Sequence, residues 1–193
     1  MTTTQIPLRR DARRNREAIL AAAKELFAES GEVPMCEIAR RAGVGQATLY
    51  RHFPDREAVA AALAAEQLDR LERLAASRAG DPDAFFVVLR GIVDGQARCH
   101  GGLHDILRES PNARSGLDGF NQRLVELLRH PIRDAKAAGT LRPDLTVDDV
   151  VLVMAMVHGA LDAIADPSGR AAAAGRALAL TIDGLTTRGG AGG

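Results

Sequence analysis

The chain has 193 residues, and its 25 Lys plus Arg against 25 Asp plus Glu give a formal net charge of zero. Its 35 alanines, single Tyr, five Phe and absence of Trp leave little material for strands, which excludes an all-β fold. A zero net charge would argue against a nucleic-acid partner, because Lys and Arg supply most of the affinity for phosphates. The distribution of the charges decides whether that argument holds.

Charge is uneven along the chain. Residues 1–56 carry ten basic and seven acidic residues, a net charge of +3, and the remainder carries −3. Five of these basic residues fall between Arg9 and Arg16, opposed only by Asp11. We predict a basic N-terminal arm over residues 1–14, either solvated and poorly ordered or in contact with a DNA backbone.

Four predicted helices occupy the first part of the chain, because apolar residues recur there at helical spacing. They cover residues 15–30, 34–42, 46–53 and 56–78. Gly43-Val44-Gly45 joins the second to the third, and Asp55 is a suitable N-cap for the fourth. The predicted core residues are Ile19, Leu26, Phe27, Ile38, Leu49 and Phe53.

Helical patterns also cover most of the remainder. They begin at Asp83, at Leu103 for a short piece to Arg108, at residue 117 or 118, at Val147 and at Gly169. Pro131 should bend or break the third of these, and Thr146 should cap the helix over residues 147–165, which is apolar nearly all round. We predict an all-α protein with an N-terminal three-helix domain over 15–60, a helical domain over 61–188 and a disordered tail over 189–193.

The compartment follows from the cysteines and the apolar runs. Cys36 and Cys99 are too few for a disulfide framework, which fits a reducing environment. The longest apolar runs, Ala58 to Ala65 and Val150 to Val157, are far shorter than the roughly 20 residues that span a bilayer. No secretory signal is visible. We therefore expect a cytoplasmic protein without a membrane partner.

The predicted second and third helices form a helix-turn-helix pattern. In such a motif the second helix enters the DNA major groove, where each base pair shows a distinct pattern of donors and acceptors. Gln46 suits a bidentate contact to adenine and Thr48 a base edge or a thymine methyl, while the hydroxyl of Tyr50 and the imidazole of His52 suit phosphates. The predicted DNA-binding residues are Arg9, Arg10, Arg13, Gln46, Ala47, Thr48, Tyr50, Arg51, His52 and Arg56. A Gly-containing αα-hairpin alone is a weak signal, since many such hairpins bind nothing.

A longer pattern makes the signal specific. It consists of residues 18–23, Leu26-Phe27, Ser30-Gly31, residues 37–45, residues 48–53 and Arg56-Glu57-Ala58, with the correct spacing across three helices. Over roughly Arg13 to Leu63 the chain resembles the TetR family of bacterial transcriptional regulators. The position often occupied by a phosphate-binding Lys in that family is Arg56 here, which keeps the charge.

The resemblance implies an all-α homodimer that binds a palindromic operator through its N-terminal domain. The C-terminal helices would hold the dimer together, here through about 147–165 and 169–187, and would enclose a pocket for a small molecule. Ligand binding in the family typically moves the fourth helix and releases DNA, so we expect a ligand-responsive repressor. The effector is an unknown small molecule, and no other cofactor is expected.

Residues of the C-terminal part combine apolar bulk with a few polar groups, as ligand sites do. The predicted ligand-binding residues are Phe85, Phe86, Leu89, Cys99, His100, His104, Phe120, Met154 and His158. Each of them also suits a plain core or surface role, so the pattern alone does not show whether these residues bind a ligand.

Three alternatives stay open at this point. Cys99, His100 and His104 lie close enough in sequence for a metal or redox sensor, although Gly101 and Gly102 weaken the helix that would align the histidines, and we assign no metal site. A helical binding protein that has lost specific DNA binding would keep the same pattern. An enzyme is not expected, since no nucleophile elbow or comparable arrangement is present.

Overall fold

The computed structural model describes residues 5–29, 32–99, 106, 113–164 and 166–186, with the backbone alone at 5–9, 98–99, 113–118, 162 and 167. The described residues form eight helices and no strand, which confirms the all-α prediction. The helices are α1 (Gln5–Glu29), α2 (Met35–Ala42), α3 (Gln46–His52), α4 (Arg56–Ser77), α5 (Ala84–Cys99), α6 (Ala113–Ala137), α7 (Val147–Asp162) and α8 (Pro167–Leu185).

The first helix is longer than the sequence pattern predicted. It begins at Gln5 rather than at residue 15, so the stretch from Arg9 to Arg14 is helical and the prediction of a separate arm over residues 1–14 is corrected. Pro7 lies in the first turn, where its missing N–H removes no helical hydrogen bond. The charges also support the helix, because the Arg13 Nε donates to the Glu17 Oε1 at 2.7 Å, one turn further on.

The later helices differ from prediction mainly at their ends. α6 begins at Ala113, four residues before residue 117, and runs six residues past Pro131, so of the bend or break predicted there the break is wrong. A proline deletes only one backbone hydrogen bond, and Leu128, Ile132 and Ala135 around it are buried in the hydrophobic core. α8 begins at Pro167 because the Asp166 carboxylate accepts the Gly169 N–H at 2.7 Å. Apart from Ile106, the predicted helix over 103–108 lies outside the described residues, as does the tail over 189–193.

The chain divides into two compact units, and the division falls within α4. The first unit comprises Met1–Ala65 with Cys99–Leu117, and the second comprises Glu66–Arg98 with Asp118–Gly193. The sequence placed the corresponding boundary at residues 60 and 61 and assigned residues 99–117 to the C-terminal part. Ile106, however, is 3% exposed and belongs to the hydrophobic cluster of the first unit.

The core of the first unit brings α1, α2, α3 and the start of α4 together. Ile19, Phe27, Ile38, Leu49 and Val59 are each at most 1% exposed. All six core residues predicted from the sequence are buried, which confirms that prediction. Burial of this apolar surface stabilises α2 and α3, two short helices that would be marginal on their own.

The second unit has its own hydrophobic cluster, built from α4, α5, α6, α7 and α8. Phe85, Leu89, Leu128, Val150 and Leu161 have no exposed surface. α7 begins with the predicted cap: the Thr146 hydroxyl accepts the Asp149 N–H, and the Asp149 carboxylate accepts the Thr146 N–H at 2.7 Å. The Thr146 hydroxyl also donates to the Asp149 Oδ2 at 2.6 Å, and this hydrogen bond, together with that from the Thr146 N–H, lowers the pKa of the Asp149 carboxyl.

Two contacts attach α4 to its neighbours in the second unit. A guanidinium on α6, that of Arg123, donates to Asp69 at 2.7 Å and to both oxygens of Glu72 at 2.8 and 3.0 Å. On the α5 side, Gln67 lies across Gly95, where an added Cβ would clash with its Nε2. The Gln67 Nε2 also donates to the Gly91 carbonyl at 3.3 Å, so the two glycines allow α4 and α5 to approach closely.

Candidate functional site

The turn between α2 and α3 is fixed by its glycine. Gly43 has φ +67°, and its N–H donates to the Arg40 carbonyl at 3.2 Å while the Val44 N–H donates to the Ala39 carbonyl at 3.1 Å. This is the Schellman pattern that ends helices at a left-handed glycine. Val44 packs against the core, so the turn sets the direction in which α3 leaves α2.

The third helix is anchored by one face and exposed on the other. The Gly45 carbonyl accepts the N–H groups of Thr48 at 2.9 Å and Leu49 at 3.0 Å, which starts the helix. Leu49 is fully buried and Phe53, just beyond the end, is 4% exposed. The opposite face presents Gln46, Ala47, Tyr50 and Arg51 to solvent, with Thr48 and His52 half-buried at its margins.

Tyr50 is the clearest feature of that face. It is 50% exposed and is one of only four large hydrophobic side chains of the described residues that are so exposed. Arg51 beside it forms no ion pair with another described residue. The Tyr50 ring is apolar and its hydroxyl can donate a hydrogen bond, so this side chain is available for a contact outside the chain.

His52 and Arg16 flank the buried end of α3. The Nε2 of His52 is buried without a hydrogen-bond partner among the described residues. The Arg16 guanidinium lies over the Phe53 ring with its Cζ 5.4 Å from the ring centroid, a cation–π geometry. This contact could not be predicted from the sequence, because Arg16 and Phe53 lie far apart in the chain.

Basic groups around the motif fall into two sets. Arg40 and Arg41 on α2 pair with Glu37 at 2.5 Å and with Glu25 at 3.3 Å, and the Arg40 guanidinium lowers the pKa of the Glu37 carboxyl. Arg10, Arg13 and Arg14 are exposed on α1, and of these Arg13 pairs with Glu17. The charge of α2 is therefore compensated within the unit, whereas α1 and α3 carry basic groups toward solvent.

The fourth helix begins as the sequence predicted. The Asp55 Oδ1 accepts the Ala58 N–H at 2.7 Å, which is the geometry of an N-cap. Arg56 follows immediately as the first residue of α4 and is half-buried. Of the ten predicted DNA-binding residues, only the side chain of Arg9 lies outside the described part of the chain.

Five predicted ligand-binding residues belong to the hydrophobic cluster of the second unit. Phe85, Leu89 and Met154 are buried in it, and Phe86 and Phe120 pack against it half-buried. The Phe85 and Phe86 rings meet edge to face with centroids 5.2 Å apart. His158 is half-buried on α7, one turn after Met154. The side chain of Cys99 and all of His100 and His104 lie outside the described residues.

Two glutamines that the sequence analysis did not single out lie in the second unit. Gln67 makes the contact to α5 described above, and Gln96 donates its Nε2 to the Met154 carbonyl at 3.4 Å. The Oε1 of Gln96 is buried without a partner among the described residues. A signal was present in the sequence, because Gln96 continues the apolar stripe of Phe85, Leu89 and Ile92 at helical spacing.

Metal-binding clusters and membrane-spanning helices are both absent from the described residues. They contain no group of three or more His, Cys, Asp or Glu side chains that could hold a metal ion. Within the same ranges, no helix has both the length and the apolar character needed to cross a membrane.

Comparison with known proteins identifies both parts of the chain. Residues 19–63 match the model for bacterial regulatory proteins of the tetR family, and residues 81–187 match the C-terminal domain of SbtR-like transcriptional regulators. The HTH-type transcriptional regulator UidR of Escherichia coli strain K12 is 28% identical over 189 residues, covering 92% of this chain and 95% of UidR.

Solved structures of TetR regulators are similar to this chain over most of its length. A TetR transcriptional regulator from Streptomyces coelicolor is 30% identical with a TM-score of 0.63, covering 90% of this chain and 99% of that one. A TetR regulatory protein from Mycobacterium vanbaalenii is 32% identical with a TM-score of 0.54, covering 94% of this chain and 100% of that one. Together with the helix-turn-helix geometry, these matches show that the chain belongs to the TetR family of ligand-responsive, DNA-binding transcriptional regulators.

Proposed function

We propose that this protein represses transcription by binding a palindromic operator as a homodimer through the exposed face of α3, and that a small molecule releases it. The observation that carries the proposal is the pairing of buried Leu49 with half-exposed Tyr50 on one short helix. One face fixes the helix in the unit and the other presents Gln46, Tyr50 and Arg51 for the major groove.

The side chains of that face have separable roles. Gln46, at the start of α3, suits the two hydrogen-bonding groups on the major-groove edge of adenine, and Thr48 and Ala47 suit a thymine methyl. Tyr50, Arg51, Arg56 and the exposed arginines of α1 suit phosphates, which position the protein without reading sequence. Because the Nε2 of His52 is buried, the other ring nitrogen, Nδ1, is the one proposed to meet a phosphate.

Binding of the purified chain to its own promoter region and to random DNA tests these roles. Gln46→Ala should weaken binding to the promoter by roughly tenfold or more while leaving random DNA unaffected, because a bidentate base contact is lost. Tyr50→Ala should weaken both. Gln122→Ala, which removes an exposed glutamine from α6, is the matched control and should change neither. Equal affinity of the unaltered chain for promoter and random DNA would contradict the proposal.

The proposed dimer contact lies on α7 and α8. Four large hydrophobic side chains of the described residues are exposed. Besides Tyr50 they are Leu152, Met156 and Leu180, which are 60%, 65% and 54% exposed. Leu152 and Met156 lie one turn apart on α7, and exposed apolar side chains that adjoin in this way are typical of an interface. A dimer also places two recognition helices about one DNA turn apart, roughly 34–36 Å, as a palindromic operator requires.

Sedimentation measures the dimer directly. Leu152→Glu combined with Met156→Glu should convert dimer to monomer and abolish promoter binding, because two charges would be buried without partners. Gln122→Glu adds a charge to an exposed helix surface and should leave the dimer intact. A wild-type chain that sediments as a monomer at micromolar concentration while still binding its operator tightly would overturn the proposed assembly.

The effector is proposed to bind in the second unit among Phe86, Phe120, Met154 and His158, which combine half-buried aromatic and polar groups around the core. A ligand there can release DNA only if it binds the DNA-free conformation more tightly than the DNA-bound one. A compound screen that follows displacement of labelled promoter DNA tests this directly. A Phe86→Ala variant should keep its affinity for DNA and lose its response to the active compounds.

A further inference from the structure

One hydrogen-bond acceptor in the second unit, the side-chain oxygen of Gln96, is buried without a donor among the described residues. The Gln96 Oε1 is buried and accepts no hydrogen bond from any described residue, while its Nε2 makes a long bond of 3.4 Å to the Met154 carbonyl. The two ends of the amide cannot be exchanged, because a carbonyl only accepts and the NH₂ group must therefore face Met154. The orientation of Oε1 is fixed by that contact.

The position of Gln96 makes its polarity unexpected. It continues a stripe of Phe85, Leu89 and Ile92 on α5, and these three residues are at most 7% exposed. A Leu or Met at residue 96 would extend the stripe without leaving a polar atom unpaired. A buried acceptor that lacks a donor costs free energy, and such groups in native proteins require an explanation.

The surroundings of Gln96 have the composition of a ligand site. Met154, whose carbonyl it contacts, has an adaptable thioether side chain and is buried in the same hydrophobic cluster as Ile92 and Val93 on the preceding turn of α5. Sites for small molecules are typically apolar surfaces with a few placed hydrogen-bonding groups. Here the unpaired amide oxygen supplies such a group.

We propose that the Gln96 Oε1 is the polar anchor of the effector site and accepts a hydrogen bond from an O–H or N–H group of a neutral, largely apolar ligand. This inference rests on the proposed function, because it names the ligand class of that regulator. An amide oxygen pairs with a neutral donor without any counter-ion. An ammonium group would bury a charge against neutral groups, and a carboxylate offers no hydrogen for the Oε1 to accept.

Matched pairs of ligands that differ only in the donor test the anchor. The probes are indole against 1-methylindole and 1-naphthol against 1-methoxynaphthalene, titrated into the full chain with thermal shift as the readout. For at least one pair, the donor-bearing compound should bind about 3- to 10-fold more tightly than its methylated partner, the range expected of one hydrogen bond. Gln96→Met should remove this difference, whereas Gln122→Met on the exposed surface of α6 should preserve it.

Stability without ligand provides a second readout. Gln96→Met should raise the Tm of the ligand-free chain, because an apolar side chain replaces an unpaired acceptor on an apolar stripe. A lower Tm would show that the oxygen is already satisfied, for example by a fixed water, and would overturn the proposal. Equal binding of both members of each pair, no binding of either donor at millimolar concentration, or a donor preference that survives in Gln96→Met would overturn it as well.

Promoter binding by the same preparations distinguishes a failure of the proposed function from a failure of this inference. Wild type and Gln96→Met should both bind the promoter, which also shows that the variant is folded. Loss of specific promoter binding in the wild type would be a failure of the proposed function. Retained promoter binding without discrimination between the paired compounds would be a failure of this inference alone.

Discussion

The two units of the chain use buried side chains differently. In the first unit the core cluster is apolar, and apart from the half-buried Thr48 and His52 the side chains of α3 that suit DNA stand on its outer face, so the cluster mainly fixes where α3 lies. In the second unit polar groups occur on interior stripes, with Gln67 against Gly91 and Gln96 against Met154. A surface that reads DNA needs a rigid support, whereas a site inside a helical unit needs polar atoms in its interior.

The largest expected effect comes from the core beneath the recognition helix. Leu49→Ala removes a fully buried side chain from α3 and should cost about 2–5 kcal/mol of unfolding free energy, with loss of specific promoter binding even where the chain stays folded. Leu128→Ala removes an equally buried leucine from the second unit and should cost a similar amount while promoter binding persists below its Tm.

Urea unfolding followed by circular dichroism, together with promoter titration, measures both leucine variants. The comparison between the units fails if Leu128→Ala abolishes promoter binding under conditions where it is folded, or if Leu49→Ala retains it. Either result would mean that the core of the first unit does not fix the position of the exposed face of α3.

A smaller effect is expected at the turn of the helix-turn-helix motif. Gly43 has φ +67°, so Gly43→Ala forces a Cβ into the left-handed region and should cost about 1–2 kcal/mol. Gly45, two residues later, has φ −69° and open space around an added Cβ, so Gly45→Ala should be nearly neutral. Gly43→Ala should therefore have a lower Tm and a lower promoter affinity than Gly45→Ala, as measured by thermal unfolding and promoter titration. Equal losses would show that backbone conformation at Gly43 does not set the direction of α3.

The first unit was largely predictable from the sequence because its signals are local. Gly43, Asp55 and the spacing of Leu49 to Phe53 act within a few residues, and the structure has the turn, cap and buried face that they predicted. The start of α1 could not be predicted, because a run of arginines is compatible both with a solvated arm and with a helix. The contact of Arg16 with Phe53 was missed because it joins residues that are distant in sequence.

The second unit was less predictable in its interactions than in its helices. The Thr146 cap was confirmed, but Pro131 did not end α6, because packing of the residues around it outweighs one lost hydrogen bond. Gln67 and Gln96 both fall on apolar stripes, yet a stripe alone does not show which neighbouring helix a polar side chain meets. The binding roles assigned to Phe85, Phe86, Leu89, Phe120, Met154 and His158 remain predictions.

The smallest expected effect concerns ion pairs, and the comparison is between pairs that join two helices of the second unit and a pair within one helix of the first. Arg123 joins α6 to α4 through Asp69 and Glu72, whereas Arg40 and Glu37 pair within α2. Arg123→Gln leaves two carboxylates facing each other without a cation. Because all three side chains are 40–50% exposed, the loss of unfolding free energy should be no more than about 1 kcal/mol. Arg40→Gln, whose side chain is 70% exposed, should change stability little.

Salt distinguishes an electrostatic origin from a packing origin for this effect. At an ionic strength of about 1 M the Debye length falls to roughly 3 Å, so the deficit of Arg123→Gln should shrink toward zero in sodium chloride. Unfolding in urea at low and high salt, with Arg40→Gln measured in parallel, provides the comparison. A deficit that persists at high salt would assign the role of Arg123 to the packing of its aliphatic stem between α4 and α6. The contact would then resemble the buried contacts of the first unit more than an ion pair.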